Sequence, residues 1–154
     1  MAGVEWKPVP EATEPAGTPS RRLLEMRRLT AAFTAEKTTR ENVVRPLRLL
    51  PQPVYRFSGQ HPDVLDGGVF AFVEETDPEI LLLIEAQKSG GSTKWMYALV
   101  RMNSIAMRVM RNEQPVWETS MLSWGQALDQ PGEPYTVLRI ANPAVLPAEP
   151  NPKP

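Results

Sequence analysis

The sequence predicts an α+β fold: an antiparallel β-meander of five to seven strands, curled or closed into a partial barrel, with an N-terminal amphipathic helix and a short helix before the last strand. Three observations predict it. Period-two alternation and turn residues run from about residue 48 to residue 119. Apolar residues recur at helical spacing upstream of them. The 154 residues, 42% hydrophobic and 23% charged, suffice for one domain.

The first predicted element is a helix over residues 21–37 with Ser20 as its N-cap. At 100° per residue, the side chains on one side are Leu23, Leu24, Met26, Leu29 and Phe33. The other face is basic, with Arg21, Arg22, Arg27 and Arg28. We interpret this face as solvated, and nucleic-acid binding through the basic helix 21–37 is the alternative.

Strands then follow one another, separated by turn sequences. The predicted strands are 54–57, 69–75, 80–88, 94–102, 105–111, 116–119 and 135–140. Turn residues separate them: Asp66-Gly67-Gly68, Thr76-Asp77-Pro78-Glu79, the five residues 89–93, Asn103-Ser104 and residues 112–115. Ser123 followed by Gln126 is typical of a capping box and predicts a short helix that ends at Asp129.

The loop lengths predict a register for the central hairpins. The predicted pairs are Glu75 with Ile80, Lys88 with Lys94 and Met102 with Ile105. One face is then entirely apolar: Val69, Ala71, Val73, Ile80, Leu82, Ile84, Ala86, Met96, Ala98, Val100, Met102, Ile105, Met107 and Val109. The opposite face is mixed: Phe70, Phe72, Glu74, Leu81, Leu83, Glu85, Gln87, Trp95, Tyr97, Leu99, Arg101, Ala106, Arg108 and Met110. Either helix 21–37 covers this mixed face, or the face is a binding site.

The ends of the chain are rich in proline. Nine of the 17 prolines lie in residues 1–20 and 143–154. We therefore predict disordered tails at 1–20 and 142–154 and a single domain at 21–141. No apolar run is long enough for a signal peptide or a membrane helix, so we expect a cytoplasmic protein with no membrane partner.

Composition limits the chemistry. The chain has no Cys, one His and a formal net charge of −1. These counts exclude disulfides, thiol catalysis and cysteine-ligated zinc, and we expect neither a metal nor a cofactor. A near-neutral chain makes nucleic acid an improbable partner, because such binding usually needs a positive field.

The mixed face holds the candidate binding site. Its residues are Glu85, Trp95, Tyr97, Arg101 and Arg108, which combine apolar walls with a few polar groups. They predict a non-enzymatic binding or protein-interaction module that engages a peptide, a small ligand or a second copy of the chain, by this face or by an exposed edge strand. In the competing interpretation, Glu85 and the arginines neutralise one another beneath the helix.

An enzyme is the alternative function. A small carboxylate-based, hydrolase-like enzyme would pair His61 with Asp63 or Glu85 as acid and base. No G-x-S-x-G motif accompanies them, and an exposed turn histidine explains His61 better than a catalytic one does. No catalytic residue is therefore assigned.

One stretch of the sequence also resembles a protein family. It runs from Leu65-Asp-Gly-Gly-Val-Phe-Ala-Phe-Val through Thr76-Asp-Pro-Glu to Leu83-Ile-Glu-Ala86. It resembles an uncharacterised family of small bacterial proteins, over about residues 45–140. The resemblance implies a bacterial source and no activity, cofactor or site.

Overall fold

The computed structural model of the chain describes residues 4–58 and 61–128. Within them the elements are β1 (Lys7–Pro8), α1 (Pro19–Thr30), β2 (Phe33–Thr38), β3 (Val44–Leu49), β4 (Tyr55–Phe57), β5 (Val64–Glu74), β6 (Asp77–Ser89), β7 (Ser92–Arg101), β8 (Ala106–Arg111), β9 (Gln114–Thr119) and α2 (Trp124–Ala127). The predicted last strand, 135–140, and the C-terminal tail, 142–154, lie outside the described residues.

The described strands form one curled antiparallel sheet. Its order is β1-β7-β6-β5-β3-β2-β8-β9, and β4 pairs with β5. Residues 102–105 alone connect β7 to β8, although four strands separate these two in the sheet. Such a short connection brings distant strands together, and the rings of Phe33 on β2 and Tyr97 on β7 meet at 5.2 Å. The sheet is therefore a half-barrel, which confirms the predicted curled sheet and the α+β class. The predicted meander of five to seven strands is wrong in detail, because the described sheet has nine strands and β7 and β8, consecutive in the chain, are not neighbours in it.

The predicted hairpin between Met102 and Ile105 is wrong, because β8 pairs with β2 and not with β7. The side chain of Arg101 redirects the chain at this point. Its guanidinium donates to the carbonyl oxygens of Asn103 at 2.8 Å and Ile105 at 2.9 Å. The connection thus folds around Arg101 instead of closing a tight turn.

The N-terminal helix is shorter than predicted. The N-cap is Thr18 and not Ser20, and α1 runs from Pro19 to Thr30, with the proline at its first position. Residues 33–38, predicted to be helical, form β2, in which Phe33, Ala35 and Lys37 are buried. Every second residue of β2 is buried, and two of its six residues are β-branched threonines. This pattern favours a strand when β3 and β8 lie on either side of it.

The predicted registers of the two central hairpins are wrong, by three residues between β5 and β6 and by one residue between β6 and β7. The structure pairs Phe72 with Ile80 and Ile84 with Tyr97. Both turns are tight two-residue connections, at residues 75–76 and 90–91, with Glu75, Gly90 and Gly91 at positive φ. The prediction used longer loops and so assigned β5 and β7 to the wrong faces relative to β6.

The inner face of the half-barrel carries the core. Its fully or nearly fully buried members include Phe70, Phe72, Ile80, Leu82, Ile84, Ala86, Trp95, Tyr97, Leu99, Met107 and Val109. α1 closes part of this face through Met26, which is 0% exposed. A Cβ added to Gly68 on β5 would lie 3.4 Å from the Met26 sulfur, so the helix packs directly on β5 at this glycine.

The N-terminal segment is not a tail from Val4 onward. β1 pairs with β7 through Lys7 opposite Tyr97 and Pro8 opposite Met96, and Val9 is 5% exposed. Proline is tolerated here because β1 is an edge strand, whose outward side needs no backbone donor. The packed unit therefore includes residues that composition alone assigned to a tail.

Asp66-Gly67-Gly68, predicted to be a turn, lies inside β5. Asp66 is fully buried and accepts hydrogen bonds from Arg22 of α1 at 2.9 Å and from Arg56 of β4 at 2.8 Å. The side chain of Phe57 lies over Gly67, where a Cβ would come within 2.4 Å of its ring. Asp66 thus binds the arginines of α1 and β4, and Gly67 leaves room for Phe57 of β4. Together they anchor α1 and β4 to the sheet.

Gly67→Ala is therefore expected to destabilise the fold by about 1–3 kcal/mol, because Phe57 must leave its position over β5. The midpoint of urea denaturation measures the effect. Gly17→Ala is the matched control, since a Cβ there has no heavy atom within 4 Å. Equal midpoints for the two variants would show that Phe57 does not hold its position over Gly67.

Candidate functional site

The five residues of the predicted site do not form one surface. Trp95 and Tyr97 lie on the inner face and are 2% and 5% exposed. Glu85 points to the outer face, opposite Gly67 and Met96. The one-residue register error placed these side chains together in the prediction.

The two arginines of the predicted site also lie apart. Arg101 binds backbone carbonyls around the β7–β8 connection and that of Ser120 at 3.2 Å. Arg108 lies on the outer face of β8, where it contacts Glu118 at 2.6 Å and Glu36 at 3.6 Å. Arg101 thus has a structural role, and Arg108 belongs to an exposed ion-pair network.

Glu85 is half-buried and accepts a hydrogen bond from Gln87 at 2.9 Å. Burial raises its pKa above the ordinary value for glutamate, and the Gln87 bond and the charge of His61 oppose the shift. In the folded state the carboxyl therefore keeps its proton to a higher pH than in the unfolded state. Stability falls as pH rises from about 4.3, the usual glutamate pKa, through the raised value.

Glu85→Gln is expected to raise the free energy of unfolding at pH 7, because it removes a half-buried charge. The gain should vanish below about pH 4, where the wild-type carboxyl is protonated in both states. Urea denaturation at pH 7 and pH 4 tests this. A variant that is less stable than the wild type at pH 7 would contradict the assigned direction.

His61 and Asp63, the pair of the enzyme alternative, lie in the loop before β5. Their Nδ1 and Oδ2 atoms are 3.7 Å apart, and the side chains are 66% and 71% exposed. Such an exposed pair does not by itself exclude water or position a substrate. The enzyme alternative remains a prediction.

The basic face of the helix is smaller than predicted. Arg22 is buried against Asp66, whereas Arg21, Arg27 and Arg28 are exposed. One of the four predicted charges is therefore neutralised inside the fold. Nucleic-acid binding through this helix remains a prediction with three exposed arginines to carry it.

A groove separates the two ends of the sheet. β1 and β9 are the terminal strands of the sheet order, and the curl brings them face to face. Between them lies a groove of about 470 Å³ lined by Glu5, Lys7, Pro115, Val116, Trp117 and Glu118. An adjoining cleft of about 140 Å³ reaches Tyr97 and Leu99 of β7. We call the two together the seam groove.

The seam groove combines an apolar floor with balanced charges. Val116 and Trp117 are half-buried and pack against the core. Lys7 pairs with Glu5 at 3.3 Å, and Glu118 pairs with Arg108 at 2.6 Å. Each groove-lining charge has an opposite charge beside it, so the groove favours neither a strongly acidic nor a strongly basic ligand.

Sequence reasoning missed this groove for two reasons. It predicted the strand 116–119 and named an exposed edge strand as an alternative interaction site, but assigned β1 to a tail. It also could not place β1 beside β9, since that contact follows from the pairing of β2 with β8. The alternation of Trp6, Pro8 and Pro10 with Lys7 and Val9 was the available signal for β1.

Comparison with known proteins returned no matching family model, no similar curated protein and no similar solved structure. Within residues 4–58 and 61–128, no cluster of three His, Cys, Asp or Glu side chains could hold a metal ion. Neither α1 nor α2 is long and apolar enough to cross a membrane.

Proposed function

We propose that this protein is a peptide-binding module that takes up an extended segment of a partner protein in the seam groove. The segment adds a strand between β1 and β9 and so continues the sheet. The observation that supports this is the juxtaposition of the two edge strands across a groove of about 470 Å³. The outer edge of β9 offers N–H and C=O groups, which recognise an extended backbone of almost any sequence, whereas β1, with Pro8 at its outward N position, offers carbonyl groups.

Side chains of the bound segment would alternate between two environments. Those that point inward meet Trp117, Tyr97 and Leu99, and the cleft of about 140 Å³ accommodates one apolar side chain. Glu5 and Lys7 line the mouth of this same cleft, because Lys7 pairs with Tyr97, whereas side chains that point outward meet Glu118. The preferred ligand is therefore a strand-forming peptide with an apolar anchor and polar residues on either side of it.

The first experiment tests recognition of the peptide backbone. The probe is the best binder selected from a displayed library of random peptides of about ten residues, the upper end of common strand lengths. Single N-methylation along this peptide removes one N–H at a time. Strand addition predicts that every second methylation abolishes binding, and uniform tolerance of methylation would overturn the proposal.

A second experiment tests the anchor. Trp117→Ala is expected to weaken binding of the same peptide at least about tenfold, because a buried aromatic anchor is worth about 2 kcal/mol at an interface. Trp124→Ala is the matched control, since Trp124 is 64% exposed and lies outside the groove. Equal weakening by both substitutions would contradict the proposed location.

A further inference from the structure

An amine, a carboxylate and a carboxamide meet at the end of the half-barrel beside the β7–β8 connection. The Lys37 Nζ atom of β2 lies 2.5 Å from Oε1 of Glu79 on β6. The amide nitrogen of Asn103 donates to Oε2 of the same Glu79 at 2.6 Å. One carboxylate therefore holds the amine and the carboxamide on its two oxygens, and we call these three residues the amine–amide triad.

The triad is shielded from water. The side chains of Lys37 and Glu79 are 6% and 5% exposed, and Asn103 is half-buried. Two further charges face it: Glu74 of β5 is a second acceptor for the Lys37 ammonium at 2.5 Å, and Arg45 of β3 lies 3.5 Å from Glu74. In such a water-poor place, neighbouring groups react with one another in preference to water.

Asn103 is held firmly although it lies in a connection between strands. Its backbone oxygen accepts a hydrogen bond from Arg101 at 2.8 Å, and its Oδ1 accepts one from the Ile105 N–H at 3.2 Å. The connection is tied to β6, because the N–H of Met102 donates to the Glu79 carbonyl at 2.8 Å. The Ile105 N–H polarises the side-chain carbonyl and can stabilise negative charge that develops on Oδ1.

We propose that Lys37 and Asn103 form an intramolecular isopeptide bond, with Glu79 as the acid–base group. The Lys37 ammonium passes a proton to Oε1 of Glu79, and the free amine attacks the Cγ carbon of Asn103. As the Nζ–Cγ bond forms, the Cγ–Nδ2 bond breaks. One amine proton and the proton held by Glu79 go to Nδ2, which leaves as ammonium and carries away the charge of Lys37. The reaction needs no oxidant and no other reactant.

The structure shows the triad before this reaction. Burial lowers the pKa of Lys37, but the bonds to Glu74 and Glu79 outweigh it and raise the pKa, so the ammonium is the resting form. Proton transfer to Glu79 is therefore the slow step. A low rate suffices, because each molecule reacts once and the product is permanent. The bond joins β2 to the β7–β8 connection and so locks the curl of the sheet.

The intact mass of the full chain tests the proposal. Linked protein is lighter than its sequence by about 17 Da, the mass of the ammonia lost in the acyl transfer. The lighter form should accumulate during storage at neutral pH. Trypsin should then release residues 29–40 joined to residues 102–108, because it no longer cleaves after a linked Lys37.

Variants assign the three roles. Lys37→Arg, Glu79→Gln and Asn103→Ala should each abolish the loss of ammonia, since they remove the nucleophile, the proton carrier and the carbon that is attacked. Lys88→Arg is the matched control for Lys37→Arg, because Lys88 is exposed, and it should link as the wild type does. Glu74→Gln removes the second acceptor of the ammonium and should increase the linked fraction.

Two results would overturn the inference. The first is a wild-type chain that keeps the full mass of its sequence after storage. The second is a loss of ammonia confined to residues 102–108, with residues 29–40 not joined to them. That result would show that Asn103 cyclises on its own backbone instead of reacting with Lys37.

Discussion

Asp66→Asn is expected to destabilise the protein by about 3–5 kcal/mol, a large part of the stability of a domain this size. Asp66 is fully buried between Arg22, whose side chain is 6% exposed, and Arg56. An amide there leaves Arg22 buried without a counterion. The bonds from Arg56 and Arg22 also hold α1 and β4 to β5, so both elements should loosen together. Urea denaturation at pH 7 measures the loss.

The pH dependence provides a second readout of the same residue. Burial alone would raise the pKa of Asp66, but hydrogen bonds from Arg56 and Arg22 outweigh it and hold the pKa below the ordinary value. This stabilisation is present above about pH 3.9, the unfolded pKa, and is lost as pH falls toward the folded pKa. The difference between wild type and Asp66→Asn should therefore shrink in acid.

Glu118→Gln is the control, because it breaks the exposed pair with Arg108 and should cost less than about 1 kcal/mol. A loss for Asp66→Asn as small as that of Glu118→Gln would show that the buried cluster does not anchor α1 and β4.

Lys37→Met is the second substitution with a large expected effect, about 3–5 kcal/mol. The Lys37 side chain is 6% exposed inside the half-barrel, where its ammonium group bonds to Glu79 and Glu74. Burial lowers the pKa of Lys37, but the bonds to the two carboxylates outweigh it and raise the pKa overall. Methionine fills the space and leaves Glu79, 5% exposed, without a cation.

A double-substitution cycle separates lost charge pairing from lost packing. Adding Glu79→Gln to Lys37→Met should recover about 0.5–3 kcal/mol, the usual coupling between residues in contact. The pKa of Glu74, which the hydrogen bond from Lys37 lowers, should also rise in the single variant. Strict additivity of the two substitutions would show that Lys37 and Glu79 are not energetically paired.

Local patterns in the sequence predict the strands well and their pairing poorly. Alternation and turn residues locate strands close to β4 through β9, and the Ser123–Gln126 capping box is present at α2. Register failed because β5 and β6 are apolar on both faces, so hydrophobicity could not select the inner one. The choice rested on turn lengths, and both turns are tighter than predicted.

Long-range contacts account for the rest of the difference. Phe33, Ala35 and Lys37 fit a helical continuation of α1 as well as a strand, and only pairing with β3 and β8 selects the strand. The seam groove depends on the same pairing, because it curls the sheet until β1 and β9 meet. The register error also explains why the predicted site is not one surface. Trp95 and Tyr97 lie in the core, whereas Glu85 lies on the outer face.

Amide hydrogen exchange with and without the selected peptide tests the central claim most directly. Strand addition predicts that alternate amides of residues 116–119 on β9, those that face the seam groove, become protected when the peptide is bound. Amides of β2, in the middle of the sheet, should not change. If the peptide binds while β9 exchange stays the same, the seam groove is not the binding site.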